Sequence, residues 1–470
     1  MEIVFPLRMK GSAGRGPNVT STLHSSANDV QKVLMLAYVF PPFYSVGGST
    51  RVVKFIKYLP AFGWLPVVLT IDDSMEYATQ RRQGSEALLK DIPEQVKIYR
   101  TTAGEPSVQL LEKGRKKMRQ NWLTAVIVKL LSAVRRWAGL HLPLADDNIS
   151  WLPFAVRMGR QIVRKEGVEV IFATCPPFSV ALIGAVLTRL TDKPLILDFR
   201  DDWIDTPWHR SKPWLTRWIE RWLEMWAVKM ADRVILVTEW SKNAFVARHA
   251  GESANKFVFI PNGCDLEDFA SLKSIVDRPR SSQFTIVHAG LLCESEIWRR
   301  SPEAFFQALC RLRQQYPDLA ANLTMAFTGY LPEAYKRMVE GMGLSSVVRE
   351  VGHLPREEFV RFMKAADLLL AINYDDCPTL IPGKIYEYWA VGGPPILLLS
   401  CPGAAQSLVE QHELGFTVPP YSLEEIQRTM MNVYRRREMG APMRIGTLGI
   451  EEYDRKALTR KLAQTLSTLH

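Results

Sequence analysis

Short apolar runs alternate with longer stretches of helical periodicity from about residue 32 onward. In the first half of the chain, the apolar runs predict strands at 33–38, 67–71, 168–174, 194–199, 233–238 and 258–260. Helical spacing predicts helices at about 50–59, 179–190 and 214–230. Strands that alternate with helices favour a parallel sheet whose crossovers cover both faces.

The second half of the chain repeats this alternation. Strands are predicted at 284–289, 323–329, 347–351, 368–372 and 396–399, and helices at 302–316, 333–342, 356–365 and 423–437. The largely polar stretch 271–282 predicts a linker. We therefore expect an α/β protein with two Rossmann-like parallel-sheet domains facing a central cleft. The predicted divisions are a disordered leader at 1–30, a first domain at 31–272, a second at 283–447, and a C-terminal helix at 448–470 that could return to the first domain.

Composition narrows the choice of partners. The chain has 470 residues, 47% of them apolar, which fits a globular protein with more than one domain. A net charge of +10 favours anionic partners. The six cysteines form no CxxC pair and no cluster with histidine, so we expect neither a zinc site nor a disulfide framework.

One insertion interrupts the alternation of strands and helices. The segment 113–145 has no acidic residue and many basic ones, and residues 113–138 within it predict a basic amphipathic helix. Such a helix suits the surface of an anionic membrane. Packing of its apolar face on its own domain is the alternative, and both remain open.

The predicted helix 214–230 has a tryptophan every four residues, at Trp214, Trp218, Trp222 and Trp226. This spacing places all four on one helical face. We expect the face to pack in the core, with base stacking or lipid contact as the alternative.

Candidate site residues follow the predicted strands, where a cleft between two such domains would be lined. In the first half, Gly47 and Gly48 form a glycine turn before a helix that carries Arg51, and such a turn can bind an anion. Asp198 and Asp201 belong to the polar run DFRDDW at the end of a strand. One of these carboxylates could accept a proton or orient a hydroxyl group, and an internal ion pair with arginine is the alternative.

The second half supplies two further candidate segments. Gly290 follows a strand, and Arg300 stands just before the next helix, where a guanidinium could neutralise a diphosphate. Lys384 and Glu387 lie one helical turn apart at a predicted helix start. The lysine and the helix N-terminus suit phosphate, and the glutamate can accept hydrogen bonds from sugar hydroxyls. A surface ion pair is the alternative interpretation of these last two residues.

These segments, in this order and spacing, resemble the family 4 type of GT-B glycosyltransferases, which are retaining and use nucleotide-sugars. The resemblance covers VLMLAYVFPPFYSVGGSTRVV, PLILDFRDDW, ADRVILVTEWSK and FIPNGCDLEDF in the first half, and FTIVHAGLL and IPGKIYEYWAVGGPPIL in the second. It begins at about residue 32 and runs to the end of the second domain.

The resemblance implies specific roles. Glu387 matches the glutamate that binds the donor ribose, and Lys384 and Arg300 match the groups that face the diphosphate. Gly47 and Gly48 match the glycine loop near the phosphates and the acceptor, and Gly290, which precedes the basic residue, is a further candidate for donor binding. Asp198 and Asp201 lie where the family lines the acceptor side of the cleft, and Lys384, Asp198 and Asp201 are the candidate catalytic residues.

The chain also departs from the pattern of the family. Thr379 stands where the family often has a second glutamate, eight positions before Glu387. Asp375 or Asp376 could substitute for that carboxylate. The basic residues after Gly290 also stand later in the chain than the family pattern has them.

The function implied is sugar transfer from a nucleoside diphosphate to a lipid-linked or polysaccharide acceptor, in bacterial surface polysaccharide biosynthesis. We expect no metal or other cofactor and no nucleic-acid partner. The protein is expected in the cytoplasm, and peripheral association with the inner face of the plasma membrane remains open. A nucleotide-sugar epimerase-like enzyme and a catalytically idle nucleotide-binding GT-B protein are the alternatives.

Overall fold

A computed structural model describes residues 30–42, 48–72, 86–103, 145–270, 283–290, 292, 300–352 and 354–469. The basic insertion, the linker, Gly47 and nearly all of the leader lie outside the described residues. Gln31–His470 form one compact unit, and it contains both predicted domains.

The first sheet has seven parallel strands in the order β3-β2-β1-β4-β5-β6-β7. Its strands are β1 (Gln31–Leu36), β2 (Trp64–Ile71), β3 (Lys97–Thr101), β4 (Val170–Cys175), β5 (Leu195–Phe199), β6 (Arg233–Leu236) and β7 (Phe257–Phe259). The helices of this half are α1 (Gly48–Tyr58), α2 (Glu86–Leu89), α3 (Leu152–Glu166), α4 (Ser179–Thr191), α5 (Pro207–Arg210), α6 (Trp214–Met230), α7 (Glu239–Arg248) and α8 (Glu267–Ala270).

The second sheet has six parallel strands in the order β10-β9-β8-β11-β12-β13. Its strands are β8 (Phe284–Ala289), β9 (Leu323–Thr328), β10 (Val348–Glu350), β11 (Leu368–Ile372), β12 (Ile396–Leu399) and β13 (Gly415–Val418). The helices are α9 (Glu303–Gln315), α10 (Pro317–Asn322), α11 (Glu333–Gly341), α12 (Arg356–Lys364), α13 (Lys384–Val391), α14 (Ala404–Gln411), α15 (Leu423–Glu438) and α16 (Arg455–Ser467).

Both sheets have the strand order of a Rossmann fold, so the predicted fold class is confirmed. Continuous apolar strands such as Leu368–Ile372 are buried on both faces, as a parallel sheet covered by helices requires. The strand order reverses between β1 and β4 in the first sheet and between β8 and β11 in the second. Open α/β sheets bind ligands beyond the carboxyl ends of the strands at such switch points.

The C-terminal helix α16 packs against α1 of the first half. Leu458, Leu462 and Leu466 are buried in the same core cluster as residues of β1 and α1. The last helix of the chain therefore completes the first sheet's helical layer rather than the second's.

The tryptophan helix α6 differs from expectation. Its bounds match the prediction, but Trp214, Trp218 and Trp222 are 72%, 63% and 53% exposed. Trp226 alone among the four packs against the first-domain core. The expectation of core packing was therefore wrong for three of the four, because spacing shows which residues share a face and not which face is buried.

Candidate active site

Lys384 lies at the switch point of the second sheet. It is the first residue of α13, and Ile385, Tyr386, Tyr388 and Trp389 beneath it are completely buried, so the helix start is firmly held. The lysine Nζ is 2.9 Å from Nε2 of His288, the next-to-last residue of β8. The cation therefore lies over the carboxyl end of β8, where the strand order reverses.

The tautomer of His288 follows from its other contact. Its Nδ1 is 3.0 Å from the carbonyl oxygen of Leu370, its register partner on β11, and a carbonyl can only accept. Nδ1 therefore donates, and Nε2 accepts a hydrogen bond from the ammonium group of Lys384. Tyr388 fixes the same strand ends, because its hydroxyl accepts from the amide of Ala289 and donates to the carbonyl of Leu370.

The electrostatics of this cluster favour an incoming anion. Burial lowers the pKa of Lys384 well below its usual value, and Arg300 lowers it further, whereas Glu387 raises it. Burial, followed by the charges of Lys384 and Arg300, lowers the pKa of His288 well below its usual value, so the imidazole is neutral. Two cations thus share a partly desolvated site in which the carboxylate only partly offsets them.

Arg300 and Gly290 border Lys384. The guanidinium of Arg300 lies over the ring of Tyr374, 4.5 Å from its centroid, just beyond the end of β11. Gly290 has φ +101°, a backbone conformation that favours glycine, and a Cβ placed there would be 3.7 Å from Nζ of Lys384. The structure thus brings together the predicted donor-side residues Gly290, Arg300 and Lys384.

Glu387 retains an accessible carboxylate. Its Oε1 lies 3.8 Å from Nη1 of Arg356, and the two side chains are 39% and 41% exposed. An ion pair that is this long and exposed is weak, so it leaves the carboxylate available to a ligand. Arg356 was not predictable from sequence, because a basic residue in the first turn of a helix carries no distinctive signal.

Thr379, at the position of the expected second glutamate, contacts the first domain. Its carbonyl oxygen accepts a hydrogen bond of 2.8 Å from Oγ1 of Thr238, the N-cap residue of α7. The carboxylate of Asp202 in the first domain accepts a hydrogen bond from Ser241. Burial raises the pKa of Asp202, and the nearby side chains of Ser241 and Thr379 oppose the increase. Thr379 is thus part of a polar contact between the two domains.

The two aspartates that could substitute for the missing glutamate have other partners. Asp376 forms an ion pair with Arg210 of the first domain, and Asp375 accepts a hydrogen bond from Tyr421. The Arg210–Asp376 pair adds a second polar contact across the domains.

Asp198 and Asp201 lie in different environments although Asp198 is in β5 and Asp201 follows the same strand closely. Asp201 has an exposed part at the surface, but desolvation of its carboxyl group by the surrounding protein raises its pKa, whereas the charge of Arg200 lowers it. Its charge helps to raise the pKa of the Cys377 thiol, so the carboxylate lies near the second domain. This position is open to a substrate.

Asp198 is completely buried. Its carboxylate accepts from Nε and Nη2 of Arg51, with a shortest distance of 2.9 Å, and from Oγ1 of Thr174 at 2.8 Å. Arg51 is equally buried and also donates to the carbonyls of Ile260 and Pro261. Asp198 therefore fits the alternative interpretation of this motif, an internal ion pair with arginine. Both side chains of the pair are enclosed by the protein. Gly48, the first residue of α1, is buried nearby.

The fold and this cluster define a class: a two-domain α/β protein with basic side chains gathered at the switch point of its second domain. A model described as "Glycosyl transferase 4-like domain" matches residues 46–263, and one described as "Glycosyl transferases group 1" matches residues 283–436. The chain therefore belongs to the GT-B glycosyltransferase family.

Individual relatives are distant. A D-inositol 3-phosphate glycosyltransferase of Kribbella flavida is 23% identical over 209 residues, which is 42% of this chain, and the match spans about half (47%) of that relative's length. Sucrose-phosphate synthase of Thermosynechococcus elongatus has a TM-score of 0.62 and 17% identity, and the alignment covers 93% of this chain and 99% of that one. Anabaena HepE in complex with UDP-glucose has a TM-score of 0.58 and 17% identity, with the same coverage. These two solved structures establish the fold alone.

Proposed function

We propose that the protein transfers a sugar from a nucleoside diphosphate donor, bound by the second domain, to an acceptor held at the first. The observation that carries the proposal is the cation pair at the second switch point. Lys384 and Arg300 share a site in which burial lowers the pKa of the lysine and a neutral His288 adds no counter-charge. A diphosphate bound beside these two basic side chains would favour the charged form of the lysine. The UDP-glucose bound to the structurally similar HepE supports a nucleotide-sugar donor.

In this proposal, the diphosphate binds Lys384, Arg300 and the amides at the start of α13. The exposed carboxylate of Glu387 accepts hydrogen bonds from the ribose hydroxyls. Gly290 lets the phosphates approach because it has no side chain at this point. These contacts supply the charge stabilisation for which some other transferases use a metal ion, so we propose that none takes part.

The reaction breaks the bond between the anomeric carbon and the diphosphate oxygen and forms one to the acceptor oxygen. The acceptor proton leaves with the departing diphosphate, whose negative charge increases in the transition state. Lys384 and Arg300 stabilise that charge more strongly in a partly desolvated site than they would in water. Asp201 orients the acceptor hydroxyl from the first domain, so the hydroxyl meets the donor across the cleft.

The acceptor in this proposal is lipid-linked or a growing polysaccharide, as in bacterial surface polysaccharide biosynthesis at the inner face of the plasma membrane. The chain's positive charge suits an acceptor that carries phosphate or lies at an anionic membrane.

Thermal unfolding of the full chain with UDP, GDP, ADP and their sugars tests donor binding. A ligand that binds only the folded state raises the unfolding midpoint. We expect one nucleotide series to do so, and Lys384→Ala and Glu387→Ala to remove the shift. Glu425→Ala and Arg428→Ala are matched controls, because they remove an exposed pair at the same i, i+3 spacing on α15.

Transfer of labelled sugar to membrane extract tests the reaction itself. Label in a lipid or polysaccharide fraction, lost in Lys384→Ala, supports transfer. Nucleotide binding without turnover would support the idle binding protein, and altered free sugar without an acceptor would support an epimerase. Equal activity in both site variants and their controls would overturn the site assignment.

A further inference from the structure

The outward face of α6 contains no acidic residue. We use the name tryptophan face for its six exposed residues: Trp214, Trp218, Arg221, Trp222, Met225 and Lys229. At 3.6 residues per turn they lie within about 100° of the helical circumference and extend about 22 Å along the axis. The face is therefore a continuous strip of aromatic, apolar and cationic side chains.

The acidic residues of α6 point the other way. Glu220 is completely buried, and its carboxylate lies 2.6 Å from Nζ of Lys212. Glu224 is also completely buried and lies 2.8 Å from Nε of Arg248 and 3.1 Å from Nε2 of His249. Basic partners inside the domain thus neutralise both carboxylates.

The nearest acidic group to the face that the structure gives belongs to a loop. Asp205 lies 3.5 Å from Nη2 of Arg221, but it also pairs with Arg248 at 3.2 Å. Because two guanidinium groups share this one carboxylate, the tryptophan face keeps a net positive charge.

This arrangement is the reverse of an ordinary surface helix, which buries its aromatic residues and exposes its charges. Three tryptophans exposed by half or more, in one strip, mark an interaction surface. Tryptophan prefers the boundary between lipid headgroups and hydrocarbon, and lysine and arginine favour anionic headgroups. A flat strip that combines the two without acidic residues complements an anionic bilayer in both polarity and charge.

We propose that the tryptophan face of α6 is a membrane-docking surface, which lies parallel to an anionic bilayer with its indole rings at the headgroup boundary. No helix in the described ranges is long and apolar enough to cross a membrane. The proposal does not depend on the sugar-transfer reaction, because it concerns a surface that is tested without donor or acceptor.

Co-sedimentation of the full chain with vesicles tests the proposal. The vesicles are phosphatidylcholine alone or an equal mixture with phosphatidylglycerol. We expect binding to the anionic vesicles. The variant that combines Trp214→Ser, Trp218→Ser and Trp222→Ser should bind at least about tenfold more weakly, because it lacks three indole rings that the bilayer would partly bury. Brominated lipids in the same vesicles should quench tryptophan fluorescence in the native chain and much less in this variant.

Two further variants distinguish binding by the tryptophan face from binding by other exposed side chains. Tyr330→Ser, Met439→Ser and Leu448→Ser remove three exposed large side chains from the second domain and the residue that follows it, and should leave binding unchanged. Arg221→Glu with Lys229→Glu should weaken binding to anionic vesicles and reduce its dependence on salt. Thermal unfolding checks that each variant is folded, which we expect since all the altered side chains are exposed.

Several outcomes would overturn the proposal. They are absence of binding by the native chain, and equal binding by the native chain and the triple tryptophan variant. Self-association that the triple variant abolishes, without vesicle binding, would assign the face to a second copy of the chain. Binding to a soluble polysaccharide in place of vesicles, lost in the same variant, would assign it to stacking on sugar rings.

Discussion

The side chain of Thr379 lies close enough to the carboxylate of Asp202, in the opposite domain, to lower its pKa. Thr379 occupies the position at which the resemblance led us to expect a carboxylate. A glutamate there would face Asp202 directly and would replace a hydrogen-bond donor with a second negative charge. The absence of a glutamate at position 379 is therefore accompanied by an acidic residue at position 202 of the opposite domain. We expect these two positions to co-vary among related sequences.

This pairing predicts the effect of restoring the expected residue. Thr379→Glu should lower the unfolding midpoint and weaken sugar transfer, because two carboxylates then meet at a partly buried contact. Adding Asp202→Asn should recover much of both losses, with a coupling of about 0.5–3 kcal/mol in a double-mutant cycle. Thr379→Val is the steric control, since it keeps the shape without adding charge. Additive effects of the two substitutions would contradict the pairing.

The sequence predicted most of the fold because most strands of both sheets are buried runs of apolar residues. The bounds of β8, β11 and β12 match the prediction. The strands β3 and β13 were missed for a common reason. Both lie at sheet edges, and their residues are largely half-buried, so neither shows the apolar run on which such predictions depend.

The candidate site was predictable only in part. Gly290, Lys384 and Glu387 could be identified because a strand end and a helix start have local signatures. His288 could not, since it forms its bond to Lys384 across 96 positions of the chain. Asp198 and Asp201 look equivalent in sequence, and only the position of Arg51 in the fold distinguishes the buried carboxylate from the exposed one.

Asp198 and Asp201 therefore predict opposite outcomes. Asp198→Ala leaves the buried guanidinium of Arg51 without its partner and should cost about 3–5 kcal/mol in the free energy of unfolding, measured with urea. Asp201→Ala should change that free energy little, because the residue is exposed, but should lower the rate of transfer. Loss of transfer in Asp198→Ala at full stability would contradict its structural role.

A side chain at position 290 should strain the backbone and also occupy space beside Lys384. Gly290→Ala forces a side chain into positive φ, at about 1–2 kcal/mol, and places its Cβ against the ammonium group of Lys384. Gly63→Ala is the matched control, because Gly63 has φ +84° and nothing within 4 Å of a Cβ. Both variants should lose similar stability in thermal unfolding. Only Gly290→Ala should also weaken nucleotide binding, and equal binding by both would separate Gly290 from the site.

His288 predicts a dependence of stability on pH. In the unfolded chain, the imidazole titrates near the ordinary value of 6.5, whereas burial and the charges of Lys384 and Arg300 lower its pKa in the folded state. As the pH falls below about 6.5, the unfolded chain therefore binds a proton that the folded chain does not, and the free energy of unfolding decreases. Above that pH, His288 is neutral in both states and contributes no slope.

His288→Gln isolates this contribution. Glutamine retains an acceptor for Lys384 but does not titrate, so the variant should lose part of the decrease in stability between about pH 7 and pH 5. The measurement is the urea unfolding free energy at several pH values, compared as a slope so that a constant loss of stability has no effect. His412→Gln is the control, since it replaces a histidine on the far side of α13 that packs against Trp389. An unchanged slope in His288→Gln would mean that the imidazole takes up its proton over the same pH range in both states, and its surroundings would then not hold it neutral.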